Sequence, residues 1–328
     1  MGNIGSGVFM KSVLMIGKGI QEELAIPIVE AEGYRCLTTD RDKKRKPDCR
    51  IDGKDYSGLV GWADGAGVAG VFTFTEMVES MAQVAARLGL PGVNIESAYY
   101  CQNKHLAYMC WADPLHNIPH PEVKYVCDYN AEFVAKPLRG CGGSGIVGFT
   151  GPALVQQKVE GTHHDINGLF YDHQFIPLGI SDRFFDNNFN EVEIRIPTAL
   201  PEDRQQELYG LVESGARALG IEWGPVKADA VFDGQRFYLL EMAPRLHGPR
   251  NSLMAWPAAG FSPLIPAIHV IAGGAPVAYE VCCDCRVIGQ TITVIQASEY
   301  VERYVGWPHE LIYALDDSSV FLIKQGKL

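Results

Sequence analysis

The sequence lacks any hydrophobic run long enough to cross a lipid bilayer. A membrane-spanning helix needs about 18 or more consecutive apolar residues, and no stretch approaches that length, although 47% of the 328 residues are hydrophobic. That apolar fraction is ordinary for a globular protein and excludes a disordered or collagen-like chain. At about 100–200 residues per domain, the length predicts two or three compact lobes.

Basic residues are too few to give the protein a positive surface. Lys and Arg total 28 against 39 Asp and Glu, and the formal net charge is −11. This balance disfavours nonspecific binding to nucleic acid or to anionic membranes. We therefore expect neither as a partner, although a local basic pocket is compatible with the overall charge.

The cysteines do not follow the pattern of a small, secreted, disulfide-bonded domain, because there are nine of them and they are scattered along the chain. Such usage is typical of a reducing compartment. With no convincing signal peptide, it predicts a cytoplasmic protein. For the local cluster Cys282, Cys283 and Cys285, we favour a buried strand and keep a zinc or redox site as the alternative.

Strands and helices alternate over the first hundred residues, which predicts a parallel α/β lobe. Apolar runs and helical periodicity predict strands over 12–16, 34–38, 68–74 and 90–93, a helix that ends near residue 33, and a helix over 76–88.

Beyond residue 100 the pattern changes to strands, a glycine-rich loop and one long helix. The predicted elements are a helix over 104–111, strands over 133–136 and 153–159, a helix from Pro201 to Gly220, and strands over 226–232 and 236–242. Asp233-Gly234 between the last two strands is a strong hairpin signal. The last sixty residues alternate as strands do, and predict a small β-rich closing lobe.

The glycine-rich loop over 140–151 suits a flap that closes over phosphates. Its start, GCGGSG, matches G-x-G-x-x-G, but the following IVGFTGP is unsuited to opening the helix of a dinucleotide-binding fold. No Lys-Ser/Thr follows, so it is not a Walker loop. The loop comes after a strand that carries Lys136, and its backbone N–H groups suit phosphate oxygens. A flexible surface loop is the alternative.

Two carboxylates lie nearly opposite each other on the predicted hairpin. Asp229 and Glu241 are five or six residues from its tip on either side, so strand alternation can place both on one face. Adjacent carboxylates repel, and a shared divalent cation such as Mg²⁺ would explain their burial together. Arg245 follows, with a guanidinium suited to phosphate or carboxylate. A solvated acid pair beside an unrelated arginine is the alternative.

Taken together, these elements resemble the ATP-grasp superfamily of carboxylate–amine ligases, related to D-alanine–D-alanine ligase, biotin carboxylase and carbamoyl phosphate synthetase. The matching stretches, in the family's order, are GLPGVNIESAYYCQNKHLAY, FVAKPLRGCGGSGI, LVQQKVEGTHHDINGLF and GPVKADAVFDGQRFYLLEMAPRLHG.

The resemblance implies an ATP-grasp fold of the α/β class with α+β lobes. An amino-terminal parallel α/β lobe would span 1–97, and the ATP-grasp domain 98–268, with a shortened lid at about 124–160 and a metal-binding hairpin at about 226–245. The β-rich lobe would span 269–328. The resemblance also implies that the protein can form a homodimer.

The family's ATP-binding residues can be carried over to matching positions. They are Lys104 and Lys136 for the phosphates, Gly142, Gly143 and Ser144 in the flap, Gln156, Gln157 and Val159 at the adenine, and His163 at the ribose. His164 is an alternative to His163, and a purely structural histidine is another. Asp229 and Glu241 correspond to the metal ligands, and Arg245 to an arginine that faces the transferred phosphate, which gives Lys136 and Arg245 catalytic roles.

Substrate contacts are expected in segments that border the acceptor pocket in such ligases. The candidate residues are Arg183, Glu191, His247, Arg250 and Asn251. The cation-rich run around Arg245 suits an anionic substrate such as an amino acid or another carboxylate. Each of these residues taken alone is equally suited to a structural ion pair.

Three departures from the family pattern bear on activity. Ala243 replaces the usual Asn two positions after Glu241, which puts one of two Mg²⁺ ions in doubt. The hinge carries Gln156-Gln157 where Glu and Lys are common. The lid between Lys136 and Gln156 is shorter than usual, so it is expected to be smaller and more mobile.

The resemblance therefore predicts an ADP-forming ligase that makes C–N bonds. A substrate carboxylate would be phosphorylated by ATP with Mg²⁺, or with Mn²⁺ as an alternative, and an amine would displace phosphate from the acylphosphate. Amino-acid-like small molecules are the expected substrates. The alternatives are an ATP-binding protein with weak or lost catalysis, and a ligase with a non-amine acceptor such as ammonia or a thiol.

Overall fold

The structure is a computed structural model that describes residues 10–17, 20–124, 133–137, 139, 153–186, 191–258, 261–277, 290–296, 311–316 and 319–327. Two sequence predictions fall outside these residues. They are the flap with Gly142, Gly143 and Ser144, and the cluster Cys282, Cys283 and Cys285.

The amino-terminal lobe is built on a three-stranded parallel sheet with strand order β2-β1-β3. Its elements are β1 (Ser12–Ile16), α1 (Ile20–Ala31), β2 (Arg35–Thr39), a short 3₁₀ turn (Lys43–Arg45), α2 (Tyr56–Gly65), β3 (Val68–Phe72) and α3 (Val78–Leu88). All five residues of β1 are buried, as expected of the central strand of a sheet covered on both faces. The predicted parallel α/β lobe is confirmed, although α2 was not anticipated.

The predicted strand over 90–93 is wrong. Gly89 ends α3 in the left-handed conformation, with a φ of 64°. The N–H of Leu90 then bonds back to the carbonyl of Ala85 at 2.9 Å, and Pro91 has no N–H to offer a neighbouring strand. The apolar residues of this segment therefore pack in a loop.

Two short helices connect the lobes, and asparagines start both. They are α4 (Ile95–Gln102) and α5 (Lys104–Ala112). The side chain of Asn94 accepts a hydrogen bond from the N–H of Ser97, and that of Asn103 accepts from the N–H groups of His105 and Leu106. Such caps satisfy N–H groups that have no partner within the helix. Only α5 was predicted from the periodicity.

A small antiparallel sheet forms the lid, with strand order β4-β6-β5. Its strands are β4 (Val123–Lys124), β5 (Phe133–Pro137) and β6 (Ala153–Gln157). Lys136 pairs with Leu154 in the register of β5 and β6. The strand that precedes the flap is therefore fixed at the position that the sequence predicted.

An eight-stranded sheet dominates the rest of the described chain, with strand order β11-β10-β7-β8-β9-β12-β14-β13. Its strands are β7 (Thr162–Tyr171), β8 (Gln174–Phe185), β9 (Glu191–Ile196), β10 (Gly224–Phe232), β11 (Phe237–Ala243), β12 (Gln290–Gln296), β13 (Leu311–Asp316) and β14 (Ser319–Lys327). The last three are the strands predicted near the carboxyl terminus, and β12 pairs directly with β9. The proposed domain boundaries at 97/98 and 268/269 stay predictions.

Helices pack against the large sheet and fix its position. They are α6 (Glu202–Ala218), a π-helical turn (Arg250–Ala255) that continues into α7 (Trp256–Ala258), and α8 (Leu264–Ile271). The fully buried Trp111 of α5 donates its indole N–H to the carbonyl of Gly215 in α6 at 3.1 Å. Within the described ranges, no helix combines the length and apolarity needed to cross a membrane.

The two lobes meet closely at Gly70. A Cβ at this position of β3 would lie 2.1 Å from the carbonyl oxygen of Ile271, at the end of α8. Backbone cannot give way as a flexible side chain can, so the contact requires glycine.

Gly70→Ala should destabilise the protein by roughly 2–3 kcal/mol, because the added methyl overpacks the contact between β3 and α8. Gly61→Ala is the matched control. Gly61 is exposed in α2 with open space at its Cβ position, so alanine there should be neutral or stabilise by about 0.5–1 kcal/mol. Urea unfolding of both variants tests this. Equal stabilities would contradict the close packing of the lobes.

Candidate active site

One face of the large sheet carries a line of charged side chains from neighbouring strands. Asp229 of β10 pairs with Glu241 of β11 on one side and with Asp165 of β7 on the other. Lys227, two residues before Asp229, points to the same face by strand alternation. The predicted cross-strand pairing of Asp229 and Glu241 is confirmed, and Asp165 adds a third carboxylate.

Lys227 holds the pair of carboxylates together. Its ammonium lies 3.3 Å from Asp229 Oδ1 and 2.5 Å from Glu241 Oε1, and the residue is 4% exposed. Burial alone would lower the pKa of Lys227, but the charges of Asp229 and Glu241 outweigh burial and raise it. Lys227 is therefore a permanent cation inside the site.

Both carboxylates stay ionised because cations surround them. Burial would raise the pKa of Glu241, but Lys227 and then Lys104 lower it to about 2. Burial likewise opposes ionisation of Asp229, and Lys227 and Arg183 shift its pKa well below the usual range. The site therefore presents two carboxylates that are charged at every physiological pH.

Arg183 of β8 is the centre of the neighbouring ion-pair cluster. Its guanidinium lies 2.8 Å from Asp165 Oδ1, 2.7 Å from Glu191 Oε2 and 3.3 Å from Asp229 Oδ2. These carboxylates outweigh the effect of burial and raise the pKa of Arg183. Asp165 responds differently, since burial raises its pKa well above the usual value despite Arg183.

His247 and Asn251 approach the same cluster from the segment after β11. Asn251 donates to Asp165 Oδ2 at 3.1 Å and to the hydroxyl of Ser181 at 2.8 Å. Burial lowers the pKa of His247 to about 3, so the imidazole is neutral. Its Nε2 lies 3.1 Å from the carbonyl of Ala228 and must donate, because a carbonyl only accepts.

The five predicted substrate residues thus converge on one region. Arg250 donates to the backbone carbonyl of Glu191 at 2.7 Å and lies 3.4 Å from its carboxylate, and Glu191 in turn contacts Arg183. The structure brings together all of Arg183, Glu191, His247, Arg250 and Asn251, and each makes contacts within the protein. Their roles toward a substrate stay predictions.

Two lysines reach the site from other elements. Lys104, the first residue of α5, lies 3.4 Å from Glu241 Oε2. Lys136 of the lid strand β5 is half-buried, and its desolvation lowers its pKa to about 8, with Lys104 adding to the decrease and Glu241 opposing it. A partly desolvated cation of this kind is suited to an anionic ligand.

Arg245 lies at the boundary between the lobes. It is 5% exposed, and it donates to Glu76 Oε1, in the loop after β3, at 2.8 Å and to the carbonyl of Leu246 at 3.1 Å. Its charge lowers the pKa of the nearby Lys227 and His247. The structure therefore places Arg245 beside the charged face, with its guanidinium engaged by the amino-terminal lobe.

The predicted adenine hinge has one buried and one exposed glutamine. Gln156 is 2% exposed and donates to the hydroxyl of Tyr108, which itself donates to the carbonyl of Leu240. Gln157 is exposed, its N–H bonding to the carbonyl of Glu122 at 2.8 Å. The amide of Gln156 is therefore used inside the protein.

The two histidines at the start of β7 point to opposite faces. His163 packs against the ring of Phe185 at 4.9 Å between centroids, and Arg183 lies over the same ring. Burial lowers the pKa of His163 to about 4. His164 is buried and its Nδ1 lies 2.9 Å from Asp182. Of the two, His163 faces the site and His164 belongs to a structural network.

Sequence reasoning missed Lys227, Asp165, Glu76 and Tyr108. Lys227 and Asp165 carried a usable signal, because each lies two residues from a singled-out position on the same strand, Asp229 and His163 respectively. Glu76 and Tyr108 carried none, since their importance arises from contacts across 169 and 132 positions of the chain.

The arrangement of a parallel lobe, a small lid sheet and a large antiparallel sheet with a charged face defines the ATP-grasp class of fold. Residues 101–249 match the family model described as an ATP-grasp domain. The matched region contains most of the four motifs on which the resemblance rests.

Known proteins agree with this class. Carnosine synthase 1 from Gallus gallus is 28% identical over 133 residues, which are 40% of this chain but only 14% of that protein. The L-amino acid ligase from Bacillus licheniformis superposes with a TM-score of 0.74 at 14% identity, covering 97% of this chain and 94% of that one. An N5-carboxyaminoimidazole synthase from Aspergillus clavatus, in complex with ADP and 5-aminoimidazole ribonucleotide, gives 0.75 at 10% identity with coverages of 97% and 94%. At such identities the solved structures show the fold alone, and that fold is the predicted one.

Arg183→Met should cost about 3–5 kcal/mol of unfolding free energy, because it leaves buried carboxylates without their shared cation. The matched control is Arg41→Met, whose exposed ion pair with Asp52 at 3.6 Å should contribute less than about 0.5 kcal/mol. Urea unfolding at pH 7 measures both. Similar small losses would contradict a central role for Arg183.

Acid should weaken the fold partly through Glu241. Its pKa is about 2 in the folded protein against an ordinary 4.5, so the unfolded chain takes up the proton first. The stability that Glu241 contributes is then complete above about pH 4.5 and is lost as the pH falls toward 2. The free energy of unfolding, measured from pH 6 to 3, should fall less steeply in Glu241→Gln than in the unaltered protein. An unchanged slope would contradict the low pKa.

Proposed function

We propose that the protein is an ATP-dependent carboxylate–amine ligase that releases ADP and phosphate. The observation that carries this proposal is the convergence of Lys104 and the ionised pair Asp229 and Glu241 on one face of an ATP-grasp domain. Three named relatives support ligation chemistry by analogy: carnosine synthase, the L-amino acid ligase and the N5-carboxyaminoimidazole synthase.

ATP would lie between the lid sheet and the large sheet. Lys104 and Lys136 would bind its phosphates, and the desolvation of Lys136 favours an anionic ligand that would stabilise its charged form. The flap residues Gly142, Gly143 and Ser144 would cover the phosphates. Gln157 and the backbone at Val159 would contact the adenine and His163 the ribose, whereas Gln156 would support the hinge through Tyr108.

Asp229 and Glu241 fit a divalent cation. Both are ionised, and their facing oxygens already converge on one positive charge, the ammonium of Lys227. Carboxylate oxygens are the ligands that Mg²⁺ and Mn²⁺ prefer. These two residues would hold the ion, whose chemistry when bound is to neutralise phosphate charge during transfer.

The chain's own residues would mainly orient the reactants and stabilise charge. A substrate carboxylate oxygen would form a bond to the terminal phosphorus of ATP as the bond to ADP breaks. Lys136 and Arg245 would offset the negative charge that develops there. An amine would then bond to the acyl carbon of the acylphosphate, lose a proton, and release phosphate to leave an amide.

The acceptor pocket would be lined by the cluster around Arg183. At its edge, Arg250 is 29% exposed in its side chain and would face an anionic group. Glu191 beside it would face a cationic one. Paired charges of both signs suit amino-acid-like substrates, which carry both an ammonium and a carboxylate. We propose this substrate class for the pocket.

A nucleotide-binding protein with weak catalysis is the second candidate. Two observations favour it: Ala243 stands where the family has Asn, and a lysine occupies the space between the carboxylates. Retention of Lys104, Lys136, both carboxylates and Arg245 favours the active ligase.

ADP release distinguishes the two candidates. The protein is incubated with MgATP and with pools of carboxylates and amines, and the ligase should release ADP when both pools are present. If ADP is released with a carboxylate plus ammonia or a thiol, but not with a carboxylate plus any amine, the acceptor is ammonia or the thiol and not an amine. Nucleotide binding without turnover in any pool would favour the binding protein.

Glu241→Ala should lower kcat/KM by about 10²-fold or more, because the charge held at the phosphates is lost. Glu207→Ala, an exposed acid on α6 that pairs with Arg204, is the matched control and should retain full activity. Thermal melts confirm that both variants fold. Unchanged nucleotide affinity in Glu241→Ala, together with no turnover by the unaltered protein, would overturn the proposal.

A further inference from the structure

Every oxygen of the Asp229–Glu241 pair has a cation of the protein as its neighbour. Asp229 Oδ1 lies 3.3 Å from Lys227 and Oδ2 lies 3.3 Å from Arg183. Glu241 Oε1 contacts Lys227 and Oε2 lies 3.4 Å from Lys104. The two negative charges of the pair are offset by Lys227, by Lys104 and by a share of Arg183, which also contacts Asp165 and Glu191. Little negative charge remains to attract several metal ions.

The three cations differ in the elements that carry them and in the number of carboxylates that each contacts. Lys104 comes from a different element, α5, and can turn to a phosphate. Arg183 is held by Asp165 and Glu191 as well. Lys227 rises from the same sheet face, two residues from Asp229, and its ammonium contacts the inner oxygen of both carboxylates. Of the three cations, Lys227 is the one that contacts both carboxylates of the pair.

The strand register explains why a lysine fits at this point. Lys227 pairs directly with Ala243 across β10 and β11, and side chains in such a pair lie about 4.5–5.5 Å apart at their Cβ atoms. The methyl of Ala243 leaves space for the lysine stem. The same small residue removes a side-chain oxygen that a second metal ion would use as a ligand.

We propose that the ammonium of Lys227 replaces one of the two divalent ions expected at such a site, so that this protein binds its nucleotide with a single metal ion. The inference rests on the proposed function, because it assumes that ATP binds with a divalent cation. A second ion near the same carboxylates would meet the ammonium at a few ångströms, where like charges in a buried site repel strongly.

Counting bound Mn²⁺ tests the inference. The full chain is held in excess over the β,γ-imido analogue of ATP, Mn²⁺ is titrated, and free Mn²⁺ is read from its electron paramagnetic resonance spectrum. The unaltered protein should saturate at about one Mn²⁺ per bound analogue. Two Mn²⁺ per analogue, with the spin coupling expected of ions about 3.5–4 Å apart, would overturn the inference.

Variants separate the charge of Lys227 from the shape of the site. The double variant Lys227→Met, Ala243→Asn removes the ammonium and adds a ligand, and it should bind two coupled Mn²⁺ ions. Ala243→Asn alone keeps the ammonium and should still bind one, which keeps the test decisive if the double variant does not fold. A second ion in Ala243→Asn, or a single ion in a folded double variant, would overturn the inference. Lys44→Met, at an exposed lysine of the 3₁₀ turn, is the matched control and should bind one.

Binding of the analogue is measured separately by equilibrium dialysis. If the analogue binds and the ion count is two, the inference fails while the proposed function stands. If the analogue does not bind at any Mn²⁺ concentration, the proposed function fails and the inference fails with it.

Discussion

Burial of four carboxylates on one sheet face is the constraint on which the site depends. Asp165, Glu191, Asp229 and Glu241 lie on four neighbouring or near-neighbouring strands, and without cations their repulsion and desolvation would destabilise the sheet. Arg183 and Lys227 supply the internal charge, one on each side of Asp229. Part of the negative charge of the site is therefore compensated within the sheet itself before any ligand arrives.

The other elements of the fold, the lid sheet, the connecting helices and the amino-terminal lobe, each bring a charged residue to this face of the large sheet. The parallel lobe contributes Glu76, which engages Arg245, and the connecting helices contribute Lys104. The lid sheet contributes Lys136, whose pKa is lowered by desolvation. Arg183 and Lys227 come from the large sheet itself, whereas Lys104 and Lys136 reach the site from other elements.

Much of this arrangement was predictable from local signals. The Asp-Gly turn fixed the hairpin and with it the opposition of Asp229 and Glu241, and the alternation of short apolar runs identified the parallel lobe. The failures have physical reasons. The apolar segment after α3 resembles a strand, but Gly89 and Pro91 divert its backbone, and the helix α4 depends on an asparagine cap more than on periodicity. The contacts around Arg183 join five separate segments of the chain. A local sequence pattern carries no information about contacts between segments so far apart in the sequence.

The pairing of Lys227 with Ala243 has a consequence for how the sequence can change over time. An oxygen-bearing residue at 243 would place a metal ligand beside the ammonium of Lys227, and a neutral residue at 227 would leave two facing carboxylates without their common partner. The effect of a change at either position therefore depends on the residue at the other, which makes the two positions an epistatic unit. Among descendants of this chain, positions 227 and 243 should be inherited together or replaced together.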